Sequence, residues 1–433
     1  MGNELLSLGG IVLALGLLIY LALRGYSLLL MTPVLAALVA ISGSIDIVEA
    51  LRDNYMPAFA NFVARFFLIF LFGSIFGQLM ADSGAATSVG RGILRVTGER
   101  SRLAVIVAIV TMTALLTYGG VSLFVVIFAV IPIARPIFKR IDMAWPLFTG
   151  AFVLGMGTFT MTMLPGSPQI QNLIPIPYLD TDPMAGAIPG LVATLFVIPF
   201  GLWWLVREDK RYQARGLGYE ATKGSLISQE DTRTEFPGFV MSVVPLAILL
   251  ILLNVFKFSV ELSLASAIVA AGALFYKYLE QPLKTFNQGA MNVASPILNT
   301  SAVVGFGGVV TAVAGFTLMK VALLDIPGHP LISFAVAVNV LVGITGSASG
   351  GLGIALDALA TQYLPLVNAE ALHRIATISS GGLDALPHSG AVVTMLMVMG
   401  LSHREGYRPI FFLAVVAPII ALAFAIAAAI ILY

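Results

Sequence analysis

Two short helix-breaking segments hold the residues of this sequence that could bind an anion or carry a proton. The first is residues 164–168 (LPGSP), and the second is residues 386–390 (LPHSG), at the corresponding place in the other half of the chain. Breaks of this kind inside membrane-length apolar segments point to the binding site of a secondary transporter. Each break starts a new half-helix, and the free N–H groups of a helix N-terminus bind anions.

Glycine, hydroxyl and amide residues lie in and around these breaks and complete the predicted anion site. Glycine lets a ligand approach the backbone closely, whereas hydroxyl and amide groups would hydrogen-bond a substrate hydroxyl. A small hydroxy-carboxylate suits such a lining. The candidate substrate-binding residues are Tyr118, Gly119, Gly120, Ser122, Gly166, Ser167, Gln169, Asn172, Asn299, Thr300, Ser347, Ser349, Gly350, His388, Ser389 and Gly390.

Three titratable residues are candidates for proton coupling. His388 titrates near neutral pH, so it is a candidate proton carrier as well as a candidate ligand. Asp384 and Asp357 are the others, because ionisable groups inside membrane segments usually serve a function. The structural alternatives are a hydrogen bond from His388 to an open carbonyl, helix capping by Asp384 and a polar seam lined by Asp357.

For one arginine and three histidines within or near the spans, the sequence predicts less specific roles. Arg65 is expected to pair with a carboxylate, to extend its charged end to the membrane surface (snorkelling) or to neutralise Asp82. Three histidines fall at predicted span ends and are expected to be interfacial, with no metal-ligand spacing. They are His329, His373 and His403.

The composition is that of a helical integral membrane protein. Of the 433 residues, 59% are hydrophobic and only 10% are charged, whereas soluble domains carry roughly 25% charged residues. A net charge of only +1 is too small to attract the phosphates of a nucleic acid, so we expect no nucleic acid partner. The absence of cysteine excludes disulfides and thiol catalysis. We expect no cofactor and no metal.

A helix of about 20 apolar residues spans a membrane. By this length criterion the sequence predicts ten spans, of which the fourth and the ninth are broken. Two further apolar segments, 103–138 and 331–366, are interrupted by glycine-rich tips and are predicted to be re-entrant hairpins. The first has basic residues at both ends and should open to the cytoplasm, and the second should open outward. The spans are 5–23, 27–44, 57–81, a span from about 145, 186–206, 237–256, 258–276, 292–323, 370–401 and 410–432.

The order of these elements repeats in the two halves of the chain. Each half has three spans, a hairpin, a broken span and a closing span, and the polar stretch between the halves reverses the orientation of the second. The sequence therefore predicts an all-α membrane protein built from two inverted-topology repeats, with both termini external. The repeats are 1–206 and 237–433, joined by a cytoplasmic linker at 207–236.

These motifs resemble the gluconate permease (GntP) family of the ion transporter superfamily. The resemblance rests on Gly119-Gly120, on residues 165–172 (PGSPQIQN) and on residues 384–390 (DALPHSG). In the gluconate members the corresponding hairpin tip is Tyr-Glu-Val-Gly, which contains a glutamate. This chain has Tyr118-Gly119-Gly120-Val121 there instead. The variant is similar to the 3-hydroxybutyrate permease branch, which suggests a smaller monocarboxylate.

The resemblance implies proton-coupled uptake by a homodimer in the bacterial inner membrane. It also implies an elevator motion, in which the hairpins and broken spans move against a scaffold of spans one, two, six and seven. Symport of gluconate or another organic anion with Na⁺ or H⁺ is the alternative, and an anion channel is a further one. An intramembrane enzyme is disfavoured, because the chain has no His-Glu-x-x-His or Gly-x-Gly-Asp motif.

Overall fold

Helices make up all the regular secondary structure in the part of the chain that the structure describes. The computed structural model describes residues 2–24, 26–97, 101–121, 123–224, 235–324, 326–387 and 389–433. Continuous apolar runs form helices because a helix satisfies its own backbone hydrogen bonds, which lipid cannot do.

Within its described residues, the first half contains eleven α-helices and two π-helical turns. The turn at Ala50–Tyr55 joins α3 to α4, and the turn at Phe159–Met163 follows α8. The helices are α1 (Gly2–Leu23), α2 (Leu28–Ser42), α3 (Ile47–Glu49), α4 (Met56–Asp82), α5 (Ala85–Thr97), α6 (Arg102–Tyr118), α7 (Leu123–Arg140), α8 (Pro146–Met156), α9 (Ile170–Leu173), α10 (Ile176–Leu179) and α11 (Ala187–Ala214).

The second half continues after a short helix, α12 (Tyr219–Thr222). A 3₁₀ turn at Tyr276–Tyr278 extends α14, and a π-helical turn at Phe411–Val416 joins α22 to α23. The helices are α13 (Phe239–Asn254), α14 (Val260–Phe275), α15 (Pro282–Met291), α16 (Ala294–Ala312), α17 (Ala314–Leu324), α18 (Pro330–Thr345), α19 (Ala348–Tyr363), α20 (Ala369–Ser380), α21 (Gly390–Met399), α22 (His403–Ile410) and α23 (Ala417–Leu432).

Many of these helices could cross a membrane. Within the described residues, six stretches are long and apolar enough by length and composition, and five shorter apolar helices accompany them. The fold is thus that of a multi-pass helical membrane protein, and the number of ten crossings stays a prediction. The six long stretches are Ile47–Asp82, Pro146–Met163, Ala187–Ala214, Val260–Tyr278, Pro282–Ala312 and His403–Leu432.

The prediction of one span over 292–323 is wrong. The helix ends at Ala312, because Val313 is extended (ψ 150°), and α17 begins at Ala314. The Ser7 hydroxyl accepts a 3.0 Å hydrogen bond from the Gly315 N–H in the first turn of α17. A distant residue of α1 thus caps the new helix, and the local sequence gives no sign of it.

Helix α11 extends past residue 207, the predicted start of the linker. Helix α11 continues to Ala214, and its last turns carry Glu208 and Asp209, both only 5% exposed. Arg408 pairs with Glu208, and Arg102 Nη1 lies 2.7 Å from Asp209 Oδ1. The acidic residues assigned to the linker are therefore helical residues that bind cations from other elements.

The two predicted hairpins each fold back on themselves. At the base of the first, Arg102 Nη2 donates to the carbonyls of Ile141 and Asp142 at 3.1 and 2.8 Å, so the start of α6 lies beside the end of α7. At the base of the second, the hydroxyls of Ser333 and Tyr363 are 2.9 Å apart. Both segments are therefore helical hairpins, and their re-entrant nature stays a prediction.

Helix contacts in the first half have counterparts in the second. Helix α1 packs on α2, and α13 packs on α14. Helix α6 packs on α8, and α18 packs on α20. Contacts between the halves follow the same pattern, since α13 packs on α5 and α1 packs on α17. The contact of the short helix α17 with α1 therefore matches the contact of α5 with α13.

The arms of the second hairpin touch at the backbone, which gives a test of its packing. A Cβ at Gly351 would lie 2.6 Å from the Val342 nitrogen, whereas a Cβ at Gly73 of α4 would meet nothing within 4 Å. Alanine favours a helix by about 1 kcal/mol over glycine, but overpacking costs about 1–3 kcal/mol. We expect Gly351→Ala to lower the thermal unfolding temperature in detergent and the matched Gly73→Ala to leave it unchanged or raise it. Equal unfolding temperatures would contradict this packing.

Candidate functional site

The backbone of the first break is capped by side chains from three different helices. Tyr118 at the end of α6 donates its hydroxyl to the Pro165 carbonyl at 2.8 Å. Asn254 at the end of α13 donates Nδ2 to the Gly166 carbonyl at 3.0 Å, and Asn172 of α9 donates Nδ2 to the Ser167 carbonyl at 2.8 Å. Three consecutive carbonyls that leave the helix are thus satisfied without water.

Gly166 is required at the centre of this break. Its φ is +74°, in the region that favours glycine, and a Cβ there would lie 2.6 Å from Asn254 Oδ1. Its N–H donates to the Pro183 carbonyl at 2.8 Å, which folds the loop after the break back onto it. Any side chain at this position would push α13 away from the break.

Two further predicted ligands connect the break to the tip of the first hairpin. The Ser167 hydroxyl is fully buried, donates to the Thr160 carbonyl at 2.8 Å and accepts from the Gln169 N–H at 3.3 Å. Gln169 Nε2 donates to the Thr117 carbonyl at 2.6 Å. These polar groups hold the protein's own backbone in this conformation, and their role as substrate ligands stays a prediction.

The glycine tip of the first hairpin packs against α13. A Cβ at Gly119 would lie 2.6 Å from Leu246 Cδ2, and a Cβ at Gly120 would lie 2.7 Å from Leu249 Cδ2 and 3.5 Å from Pro168 Cγ. The φ of Gly120 is +91°. The tip therefore sits between the first break and α13, with no room for larger residues.

A buried histidine and arginine beside the first break were not anticipated as site residues. His373, which was predicted to lie at the membrane interface, is fully buried within the protein, with Nδ1 2.7 Å from Thr181 Oγ1 and Nε2 3.3 Å from Asn172 Oδ1. Arg374 is also fully buried and donates to the Ala185 carbonyl at 2.7 and 3.0 Å. Both residues stabilise the loop that covers the break.

The sequence does carry one signal for the buried arginine. Gly186 and Gly190, four residues apart, face Arg374, and a Cβ at Gly190 would lie 3.1 Å from Arg374 Cδ. A small-x-x-x-small pattern in an apolar helix indicates close packing, and it could have suggested that a large side chain lies against α11.

The second break is capped from α22. His403 Nε2 donates to the Pro387 carbonyl at 2.9 Å, and the Tyr407 hydroxyl donates to the Ala385 carbonyl at 3.1 Å. A tyrosine hydroxyl thus caps a carbonyl at each break. Asp384 is half-buried in this segment, and Ser389 is buried with its N–H donating to the Leu386 carbonyl at 2.9 Å. Gly390 begins α21 in open space.

The two breaks lie against each other. A Cβ at Gly381, just after α20, would lie 2.9 Å from Thr162 Cγ2 in the π-helical turn before the first break. Gly343 of the second hairpin packs beside the second break, where a Cβ at this position would lie 2.9 Å from Leu383 Cβ and 3.6 Å from Leu386 Cδ1. The structure therefore brings the two breaks close together. The tip of the first hairpin lies at the first break, and an arm of the second hairpin lies at the second break.

The predicted ligands from α16 and from the tip of the second hairpin lie where α16 meets α19. The Ser347 hydroxyl accepts from the Gly350 N–H at 3.2 Å as the N-cap of α19. The hydroxyls of Thr300 and Ser349 are 3.4 Å apart, and Asn299 Nδ2 donates to Ser295 Oγ at 3.2 Å. Ser122 and His388 lie outside the described residues, and their predicted roles stay predictions.

Arg65 does not neutralise Asp82. The two residues are 17 positions apart on one helix, which is about 25 Å, and Asp82 accepts hydrogen bonds from Gln78 at 2.8 Å and Thr285 at 2.7 Å. The Arg65 guanidinium instead lies over the Tyr178 ring, 4.8 Å from its centroid. Asp357 of α19 lies within electrostatic range of both residues.

Comparison with known proteins gives two relatives that are named as transporters. A protein of Bacillus subtilis (strain 168), named as the uncharacterized transporter YxjC, is 36% identical over 447 residues, covering 93% of this chain and 94% of the relative. The chain belongs to this transporter family. An uncharacterized transporter of Haemophilus influenzae (strain ATCC 51907 / DSM 11121 / KW20 / Rd) is 26% identical over 339 residues, with 73% and 74% coverage. No protein-family model matches the chain.

The family assignment agrees with the helical membrane fold and suggests that the protein is not an enzyme. The names of the relatives specify a transporter and no substrate. The site must therefore be interpreted from its own geometry.

Removing one capping hydroxyl tests whether the breaks depend on these side chains. Tyr118→Phe leaves the Pro165 carbonyl without its donor, which costs about 1–3 kcal/mol for a buried group. We expect a lower thermal unfolding temperature in detergent for Tyr118→Phe than for Tyr276→Phe, a matched change at a tyrosine that is 68% exposed. If the two variants unfold at the same temperature, the hydroxyl does not stabilise the break.

Proposed function

We propose that this transporter carries a small hydroxy-monocarboxylate together with a proton, by an elevator mechanism. The observation that carries the proposal is the contact between two broken helices at their breaks, Thr162 against Gly381. Broken helices that meet inside a membrane protein supply free backbone dipoles for a substrate and mark its binding site. A substrate like 3-hydroxybutyrate agrees with the family resemblance of the break motifs.

The proposed architecture is a pair of inverted repeats, residues 1–206 and 237–433, in the bacterial inner membrane. The matched contacts of α1 with α17 and of α13 with α5 support this pairing. The base of the first hairpin carries Arg102, next to Asp209, and basic residues favour the cytoplasmic side. We further propose a homodimer whose scaffold is α1, α2, α13 and α14.

The proposed binding site uses the breaks and hairpin tips, with neutral dipoles at the first break. The second break contributes His388 and Asp384, and α19 contributes Asp357, as proton-coupling candidates. In the described conformation the first break is closed, because Asn172 and Ser167 are fully buried and hydrogen-bonded within the protein. A substrate would reach these groups only after α13 separates from the break.

The elevator motion must therefore open the contacts between α13 and the first break. One of these is the ion pair between Lys257 Nζ, just beyond α13, and Asp182 Oδ2, at 2.8 Å. Because the chain has no cysteine, a Lys257→Cys/Asp182→Cys pair can be bridged by a reducible bifunctional thiol reagent. We expect bridging to stop uptake and reduction to restore it. Bridging a Glu220→Cys/Lys223→Cys pair within one segment should leave uptake unchanged, and continued uptake by the bridged 182–257 pair would contradict the motion.

The function itself is tested by uptake of labelled 3-hydroxybutyrate into proteoliposomes with an alkaline interior. One proton per anion supports about tenfold accumulation per pH unit, and a protonophore should abolish it. Flux without accumulation would indicate a channel, and accumulation driven only by a sodium gradient would indicate Na⁺ coupling. Either result would overturn proton symport.

A further inference from the structure

Three residues from separate elements lie beside the long helix α4. Arg65 belongs to α4, Tyr178 to α10 just after the first break, and Asp357 to α19 of the second hairpin. We propose that Arg65 binds the substrate carboxylate and that Asp357 receives the co-transported proton. This inference rests on the proposed function and assigns the two charges to one site.

Arg65 lies where an unpaired charge cannot face lipid. It is midway along the continuous helical stretch Ile47–Asp82, and its side chain is exposed. A charge at this depth is costly unless it faces water or a polar partner. Its position therefore indicates an aqueous crevice beside α4, bounded by α10 and α19, which contact each other.

The tyrosine ring positions the guanidinium without neutralising it. The Arg65 guanidinium carbon is 4.8 Å from the centroid of the half-buried Tyr178 ring. A cation–π contact occupies one face of the guanidinium, while its N–H edge can still bind a carboxylate with two parallel hydrogen bonds. An anion bound at this edge would lie next to the helix that follows the first break.

Asp357 is close enough to sense Arg65 but does not pair with it. Within the described residues, the salt bridges with N···O up to 4.0 Å do not include Arg65 with Asp357, although the charges interact at longer range. Asp357 is exposed, like Arg65. A small carboxylate can therefore enter between the two without first breaking an ion pair.

Binding of the anion and of the proton is then coupled by charge. Helices α4 and α19 touch near these residues, since a Cβ at Gly353 would lie 3.4 Å from Phe62 Cε2. Among the described residues, the titratable groups that interact electrostatically with Asp357 are Arg65 from α4 and Tyr178 from α10. Partial burial disfavours the ionised form of Asp357, and with the site empty the nearby Arg65 cation opposes that effect. A carboxylate on Arg65 cancels that charge and adds a like charge, so Asp357 takes up a proton, and by linkage a protonated Asp357 favours the anion equally. The loaded site carries no more net charge than the empty one.

The anion half of the site is tested by uptake kinetics with 3-hydroxybutyrate. Arg65→Gln removes a charge-assisted bidentate contact, so we expect KM to rise about tenfold or more, with Arg65→Lys between this variant and the wild type. The matched control is Arg24→Gln, because Arg24 also lies over a tyrosine ring, 5.3 Å from the Tyr20 centroid, but at a helix end. Equal KM values for Arg65→Gln and Arg24→Gln would overturn the assignment.

The proton half is tested with Asp357→Asn, which mimics the protonated acid. We expect this variant to exchange internal and external 3-hydroxybutyrate, which shows that it is folded, but to lose accumulation driven by a pH gradient and the pH dependence of exchange. Accumulation by Asp357→Asn with an unchanged pH profile would overturn the proton assignment. The proton assignment would also be overturned if His388→Ala lost pH-driven accumulation while Asp357→Asn retained it. If the wild-type protein itself fails to accumulate the substrate, the proposed function fails, and not this site alone.

Discussion

The structure depends on one constraint, which is that a backbone carbonyl inside a membrane must have a hydrogen-bond donor. Two spans of this protein are broken, and the carbonyls released at each break are capped by side chains from other helices. Tyr118, Asn254 and Asn172 cap the first break, and His403 and Tyr407 cap the second. Each break is therefore also the point where distant parts of the chain are fastened together.

This constraint connects the fold to the proposed transport cycle. A break that is fully capped by protein is closed, and a break that opens must exchange its protein donors for water or substrate. The donor from α13, Asn254, belongs to the proposed scaffold, whereas Gly166 belongs to the proposed moving part. The same hydrogen bond thus stabilises the closed state and has to break in the proposed cycle. A more stable closed state would therefore open more slowly.

The sequence allowed the large features of the fold to be predicted, because they depend on local chemistry. The apolar runs, the Gly-Pro breaks and the glycine tips all have local signatures, and the structure has helices, breaks and fold-back segments at those places. The features that could not be predicted depend on contacts between distant residues. Ser7 caps α17 at Gly315, and Glu208 and Asp209, in the last turns of α11, bind Arg408 and Arg102 from other elements.

The candidate site was predictable to a similar degree. Ser167, Gln169 and Asn172 do lie at the break, but their partners show that they hold the backbone in this conformation. His373 and Arg374 were missed because they belong to a different span and reach the break only through the tertiary fold. The position of Arg65 over Tyr178 likewise joins two segments more than one hundred positions apart in sequence.

The most direct test of the account is whether the first break is exposed to the two sides of the membrane in turn. The chain has no cysteine, so Ser167→Cys introduces a single thiol at a fully buried position. Its reaction with a membrane-impermeant maleimide can be followed from each side of a proteoliposome, with and without 3-hydroxybutyrate. The account predicts labelling from one side at a time, with the accessible side changed by substrate and by the pH gradient. Simultaneous labelling from both sides, or no labelling during active uptake, would contradict it.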